Sequence, residues 1–177
     1  HYGATLAAIA VGVAPEEYSK SEQAQKGMTG IKKYLEANPP ENMHHQMMIL
    51  WAASYHDDLM SAKDKEALTG KLLKLQNDDG GWSLPKLFTW ERADEKEQDT
   101  SSDGYATGFV VFVLRQTGMP TKDKSIQRGV AWLKSNQRES GRWFTRSINK
   151  DSRHFITHAG TAMALMALGQ CGELGGN

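Results

Sequence analysis

The stretch "LLKLQNDDGGWSLP", residues 72–85, decides how the rest of the chain is read. A helix-like run ends in Gln76, two acids and a glycine pair, and then places a bulky aromatic, Trp82, where a wet turn is expected. The stretch "WLKSNQRESGRWFTRS", which begins at Trp132, repeats the arrangement 61 residues later. Gln76, Gly80 and Trp82 are matched by Gln137, Gly141 and Trp143, both sets reading Gln-x3-Gly-x-Trp. The last carbonyls of a helix lack intrahelical partners, and a glutamine amide offers two donors and an acceptor. Glycine permits the left-handed turn that ends the helix. The motif is therefore expected to be a structural clip, the glutamine bonding exposed carbonyls and the tryptophan ring packing across the amide.

Hydrophobic periodicity sets the class. Tyr2–Val13, Met43–Tyr55, Tyr105–Gln116 and His158–Gly169 are nearly all apolar or small, as in helices buried all round. Between them lie the charge-rich, amphipathic segments Ser21–Ala37, Ala62–Gln76 and Lys124–Gln137. In the last of these Ile126, Val130, Leu133 and Gln137 share one face at helical spacing. No stretch alternates with period two, so no sheet is expected. The pattern predicts seven helices, alternately buried and surface-lying. "HYGATLAAIAVG", "DGYATGFVVFVL" and "THAGTAMALMALG" resemble one another, and Thr107 and Thr161 lie 54 residues apart. A two-helix unit of this length cannot bury its own apolar face, so its copies must stack.

The bulk numbers narrow the function classes. With 177 residues, 39% of them apolar, the chain can bury one substantial core. Lys plus Arg and Asp plus Glu both total 21, which argues against a nucleic-acid groove. Cys171 is the single cysteine, so neither an intrachain disulfide nor a cysteine-rich zinc site can form. The apolar run "ATLAAIAVGVA" is too short to span a bilayer. The chain opens at His1, already inside a helical pattern, and is expected to be a fragment or processed domain of a longer protein. Its compartment cannot be read.

Three segments carry a family resemblance. "RGVAWLKSNQRESGRW", Arg128 to Trp143, and "TGKLLKLQNDDGGW", Thr69 to Trp82, resemble the QW repeat of squalene–hopene and oxidosqualene cyclases, to which protein prenyltransferases are related. "GIKKYLEANPP" keeps Tyr34-Leu35 without the glutamine and tryptophan. The resemblance implies an all-α fold, the α/α toroid, with residues 1–177 forming one repeat domain and part of the ring. It implies an apolar or isoprenoid-like ligand, or a partner, held through the toroid centre. An active enzyme of this kind would be a terpenoid cyclase of isomerase or lyase type. An enzyme acting on polysaccharide shares the α/α ring, but no carboxylate pair marks it here.

In hopene-forming relatives the proton donor lies in Asp-x-Asp-Asp-Thr-Ala. The nearest match here is "DGYATG", with Asp103 at the first acid and Tyr105 at the central one. Protonating an alkene needs an activated carboxylic acid, and a phenol cannot replace it. The family's acid is thus unmatched, and Asp103 is the candidate catalytic residue. The zinc-ligand pattern of the prenyltransferases is unmatched as well, so neither a metal nor a cofactor is expected.

Polar residues at the starts of the inner helices would gather at one mouth of a toroid. His44, Tyr105, His154 and His158 are the ligand-binding candidates there, with Trp90 from the long loop before the third apolar helix. His154 and His158 stand four apart, the spacing of two ligands on one helical face. The first and last apolar helices each lack a neighbour on one flank. Further repeats of the parent chain, or self-association, are expected to cover them.

Overall fold

A computed structural model of the chain describes residues 1–151 and 156–175. Among these residues nine α-helices and one short 3-10 turn are found and no strand: α1 (Tyr2–Val13), α2 (Glu16–Ser19), α3 (Glu22–Ala37), α4 (Met43–Ala52), the turn Asp57–Leu59, α5 (Ala62–Lys74), α6 (Leu84–Leu87), α7 (Gly104–Gln116), α8 (Lys124–Ser135) and α9 (Ile156–Gln170). The seven helices expected from periodicity are all present; α2 and α6, of four residues each, are additional. Helix starts follow local chemistry. Ser21, Asn42, Asp103 and Asp123 each accept a hydrogen bond from a backbone N–H in the first turn that follows, which satisfies donors the helix cannot.

The chain divides within α5 into two compact units, His1–Leu68 and the residues from Thr69 onward. In the first, α1 packs on α3 and α4. Ala8, Ile9, Met28, Met47, Met48 and Leu50 are buried there, and a His56 ring nitrogen lies 2.9 Å from the Ala8 carbonyl. The second unit is built around α7. Every residue from Gly104 to Leu114 is buried, and α9 and α8 pack on it. The α7–α9 approach is close because Gly108 has no side chain: a Cβ there would stand 2.5 Å from the Ala164 nitrogen.

Uniform apolarity predicted the helices but overstated their burial. α7 is enclosed, whereas α1 leaves Tyr2, Leu6 and Val13 exposed and α9 leaves Leu165 42% exposed. Composition records what a helix tolerates, while neighbours decide what is covered. Gln137 departs similarly from the expected face of α8. Ile126, Val130 and Leu133 are buried, but the helix ends at Ser135 and Gln137 lies beyond it, exposed.

The two Gln-x3-Gly-x-Trp segments close α5 and α8 in the same way, with a division of labour other than the one expected. The tryptophan, not the glutamine, reaches the helix end. Trp82 Nε1 donates to Leu72 O at 2.8 Å, and Trp143 Nε1 to Leu133 O at 2.7 Å. Both rings are buried. The glutamines close the turn instead: Gln76 Nε2 donates to Gly80 O and Gln137 Nε2 to Gly141 O. Gly80 (φ 95°) and Gly141 (φ 76°) take the left-handed conformation the turn requires. Each tryptophan then leads into the next apolar helix through a threonine. Trp82 N donates to Thr107 Oγ1 at 2.9 Å, and Trp143 N to Thr161 Oγ1 at 3.2 Å.

Trp82 and Thr107 are 25 residues apart in sequence, Trp143 and Thr161 only 18. The difference is the loop ahead of α7, which is pinned down. Arg92, its side chain 1% exposed, donates through Nε and Nη2 to the two oxygens of Asp94. It also reaches Asp151 and the Ser147 carbonyl. Arg146 pairs with Asp151 through two nitrogens, and Ala93 N donates to Asn149 O at 2.8 Å. These neighbours hold the Asp94 carboxyl down at about 2, chiefly through the Arg92 hydrogen bonds.

Candidate functional site

Asp103 caps α7 and is 8% exposed. One carboxylate oxygen accepts from Ala106 N at 2.9 Å and from Thr145 Oγ1 at 3.1 Å, and the other from Leu84 N at 2.6 Å. Three segments of the second unit therefore converge on this carboxyl. Thr145, itself buried, also accepts from Tyr105 N at 2.9 Å. Burial raises the carboxyl's pKa from 3.8 to about 6, against the downward pull of those donors. Beside it lies a cavity of about 30 Å³ lined in part by Gln98, Asp99, Phe144 and Arg146. That space suits roughly one or two waters, and an isoprenoid chain does not fit.

The neighbouring repeat fills the same station with Thr157. Its hydroxyl faces Thr145 N at 3.5 Å and donates to Thr145 O at 3.3 Å, just as Asp103 receives Leu84 N. The hydrogen bonds given by Leu84, Ala106 and Thr145 occupy Asp103 with helix capping and loop closure. The donors are backbone amides and a hydroxyl, not a histidine.

The other candidates have different surroundings. Tyr105 is buried, its ring 5.9 Å from that of Phe109. His44, in the first unit, is half-buried and stacks with Tyr2 at 6.5 Å between ring centroids. Burial, and then the neighbouring His45, lower its pKa to about 4. Trp90 is 50% exposed and stacks on Phe88 at 5.7 Å, while its carbonyl accepts from Gln98 Nε2. His158 is exposed on α9. His154 falls outside the described residues. Among the described residues there is no group of three His, Cys, Asp or Glu able to hold a metal ion. No described helix is long and apolar enough to cross a membrane.

Sequence reasoning passed over Asp79 and the threonines. Asp79 accepts from Gly81 N, Ser102 Oγ and Trp132 Nε1, tying the first clip to α8. Thr107 and Thr161 were visible as repeat markers through their spacing; nothing in the spacing named their partner as the tryptophan amide. Thr145 carried no sequence signal, because its role depends on a contact 42 residues away.

No solved structure matches the chain. Sporulenol synthase of Bacillus subtilis (strain 168) is 32% identical over 84 residues, 42% of this chain and 13% of that protein. The chain thus spans a small part of the length of the curated relative it matches. The squalene-hopene cyclase C-terminal domain family matches residues 47–169, from α4 through the Asp103 site to the end of α9. With helix pairs, paired clips and that match in agreement, the chain belongs to the squalene-hopene cyclase C-terminal domain family, an all-α fold of the α/α-toroid class.

Proposed function

We propose that this chain is the ligand-enclosing part of a squalene-cyclase-type protein, holding an apolar or isoprenoid-like molecule, or a partner, through the toroid centre without supplying the proton that starts cyclisation. The observation carrying this reading is the state of Asp103. Its oxygens receive three structural donors, its adjoining cavity is of water size, and the neighbouring repeat makes the equivalent loop contact with Thr157. A proton donor for an alkene must instead point its acidic hydrogen at the substrate. His44, Tyr105, His158, Trp90 and, from the sequence, His154 are the proposed ligand-facing residues.

One observation favours a second reading. A carboxyl with a pKa near 6 is protonated more readily than an ordinary aspartate, as a terpenoid cyclase using Asp103 would need. Squalene in detergent micelles separates the two. Binding is followed by tryptophan fluorescence, and products by mass spectrometry. The expected result is saturable quenching with no cyclised product, and the same quenching for Asp103→Asn. A cyclic product that Asp103→Asn abolishes would overturn the binding reading.

A further inference from the structure

From Phe88 to Ser102, the loop ahead of α7, Arg92 is the one buried residue, and no apolar side chain of the loop is buried with it. Burying a charge is costly unless it is paired and hydrogen-bonded. Here the pairing is itself the attachment. Arg92 bonds both Asp94 oxygens within the loop, and Ser147 O and Asp151 outside it. The loop's other ties run to the same short segment. Ala93 N donates to Asn149 O, Gln98 Nε2 to Ile148 O, and Lys96 Nζ to Asp151 Oδ2. In return Asp151 N donates to Asp94 Oδ2, and Arg146 Nη1 to Glu97 O. The middle of the loop is thus held to residues 146–151 by polar bonds around one guanidinium.

The ends are fixed separately and lie together. Leu84 and Leu87 are buried ahead of the loop. Behind it Asp103 N donates to Trp82 O at 2.9 Å while the Asp103 carboxylate accepts from Leu84 N. Ser102 Oγ donates to Asp79 and accepts from Asn77 Nδ2. A loop whose ends meet forms a compact unit on the surface, and its middle can move without displacing the helices it joins. The same loop walls the cavity beside Asp103, which Gln98, Asp99, Ser101 and Ser102 line together with Pro85, Phe144 and Arg146. The far wall is fixed, because Trp143 and Thr145 are buried and Thr145 bonds Asp103.

We propose that residues 88–101 are a lid over the Asp103 carboxyl, latched by Arg92 onto residues 146–151 and able to lift as a unit. Lifting an apolar plug would expose apolar surface to water. Lifting this loop exposes a guanidinium, which water solvates well, and leaves Asp94 and Asp151, whose side chains are already 22% and 34% exposed. Segments with few buried apolar contacts open at the low end of a protein's stability range. Once lifted, the lid removes one wall of the cavity and turns a water-sized space into a cleft at the first turn of α7. Trp90 moves with it, since Gln98 Nε2 ties the Trp90 carbonyl to the same latch. The lid concerns access to the site, so it holds whether Asp103 caps an enclosed ligand's surroundings or acts as an acid.

Two variants of the full chain release the latch from opposite sides. Arg92→Met keeps a long side chain without the charge, and Asp151→Asn removes the acceptor shared by Arg92, Arg146 and Lys96. Hydrogen exchange read by mass spectrometry follows peptides from the loop and from α7. A water-soluble carbodiimide with an added amine labels Asp103, measured against the exposed Glu139 of the same digest. In both variants the loop amides should exchange at least about tenfold faster while those of α7 keep their wild-type rates, and labelling of Asp103 should rise several-fold. Loop exchange that stays unchanged in both variants overturns the latch. Faster loop exchange without a gain in Asp103 labelling overturns the lid. Equal quickening of α7 also overturns it, by making the loop part of the core and not a separable cover.

Discussion

The two Gln-x3-Gly-x-Trp clips carry the same letters at the same spacing, yet among the described residues only the first meets a following outer helix. In each, the indole nitrogen caps the preceding helix at 2.7–2.8 Å and the ring is buried. The indole cap therefore lies inside a single repeat, while the Trp82 ring also abuts Gly129 of α8. The glutamine half differs: Gln76 has an acceptor on the next outer helix, whereas among the described residues Gln137 bonds within its own turn. The motif thus combines a local function, closing one helix pair, with a second that is completed only by stacking. Changing each part in both copies should separate the two functions.

The largest effect belongs to the shared half. Trp82→Ala and Trp143→Ala each remove a ring that is at most 1% exposed and leave a helix carbonyl without its indole donor. Truncating a buried aromatic costs about 3–5 kcal/mol, and the two losses should agree within about 1 kcal/mol, an ordinary context spread. Chemical denaturation of both variants measures this. A Trp143→Ala loss under half that of Trp82→Ala would show that stacking, not local closure, makes the tryptophan matter.

The next effect lies between the clips, where one repeat holds the incoming loop amide on a carboxylate, Asp103, and the other on a hydroxyl, Thr157. A folded-state pKa near 6 against an ordinary 3.8 means that the fold holds this proton more tightly than the unfolded chain does. Asp103 therefore contributes stability that is complete below pH 4 and is lost as pH rises through 6, by up to about 3 kcal/mol from a shift of this size. His44, in the other unit, has the opposite sign. Its pKa is lowered from 6.5 to about 4, so its contribution is present above pH 6.5 and is lost as pH falls through 4. The wild-type profile mixes the two effects, and the informative quantity is its difference from Asp103→Asn. That difference should favour the wild type more at pH 4 than at pH 6.5; a flat difference would mean that folding does not raise the pKa of this carboxyl.

The fold was legible because its information is local. Helix positions follow from runs such as Lys124–Ser135, whose apolar residues recur on one face, and the clips follow from spacing alone. Burial was less legible. α7 and α9 are both apolar, and only the neighbours that cover α7 distinguish them. The site was least legible, for the same reason. Asp103 could be seen as an acid at a helix start, but its role comes from Leu84 and Thr145, 19 and 42 residues away, brought in by loops whose course no periodicity reports. Trp90 belongs to such a loop, fixed by the burial of Arg92 among Asp94, Asp151 and Ser147 O.

The smallest effect is the one that most sharpens the comparison. Gln76→Ala removes two amide hydrogen bonds from a half-buried turn and leaves Ser125 O, in the first turn of α8, without that donor. A net hydrogen bond is worth about 0.5–1.5 kcal/mol, and a partner left unsatisfied adds to the loss, so the expected cost is about 1–2 kcal/mol. Gln137→Ala removes one bond, to Gly141 O, from an exposed turn where water can replace the amide. Its expected cost is below about 0.5 kcal/mol, as for surface changes generally. Urea midpoints for the two variants decide the matter. Equal losses would mean that the Ser125 contact contributes nothing and that both glutamines act only within their own turn. Unequal losses in the predicted order would assign the glutamine to the junction between repeats, and the tryptophan to the repeat itself.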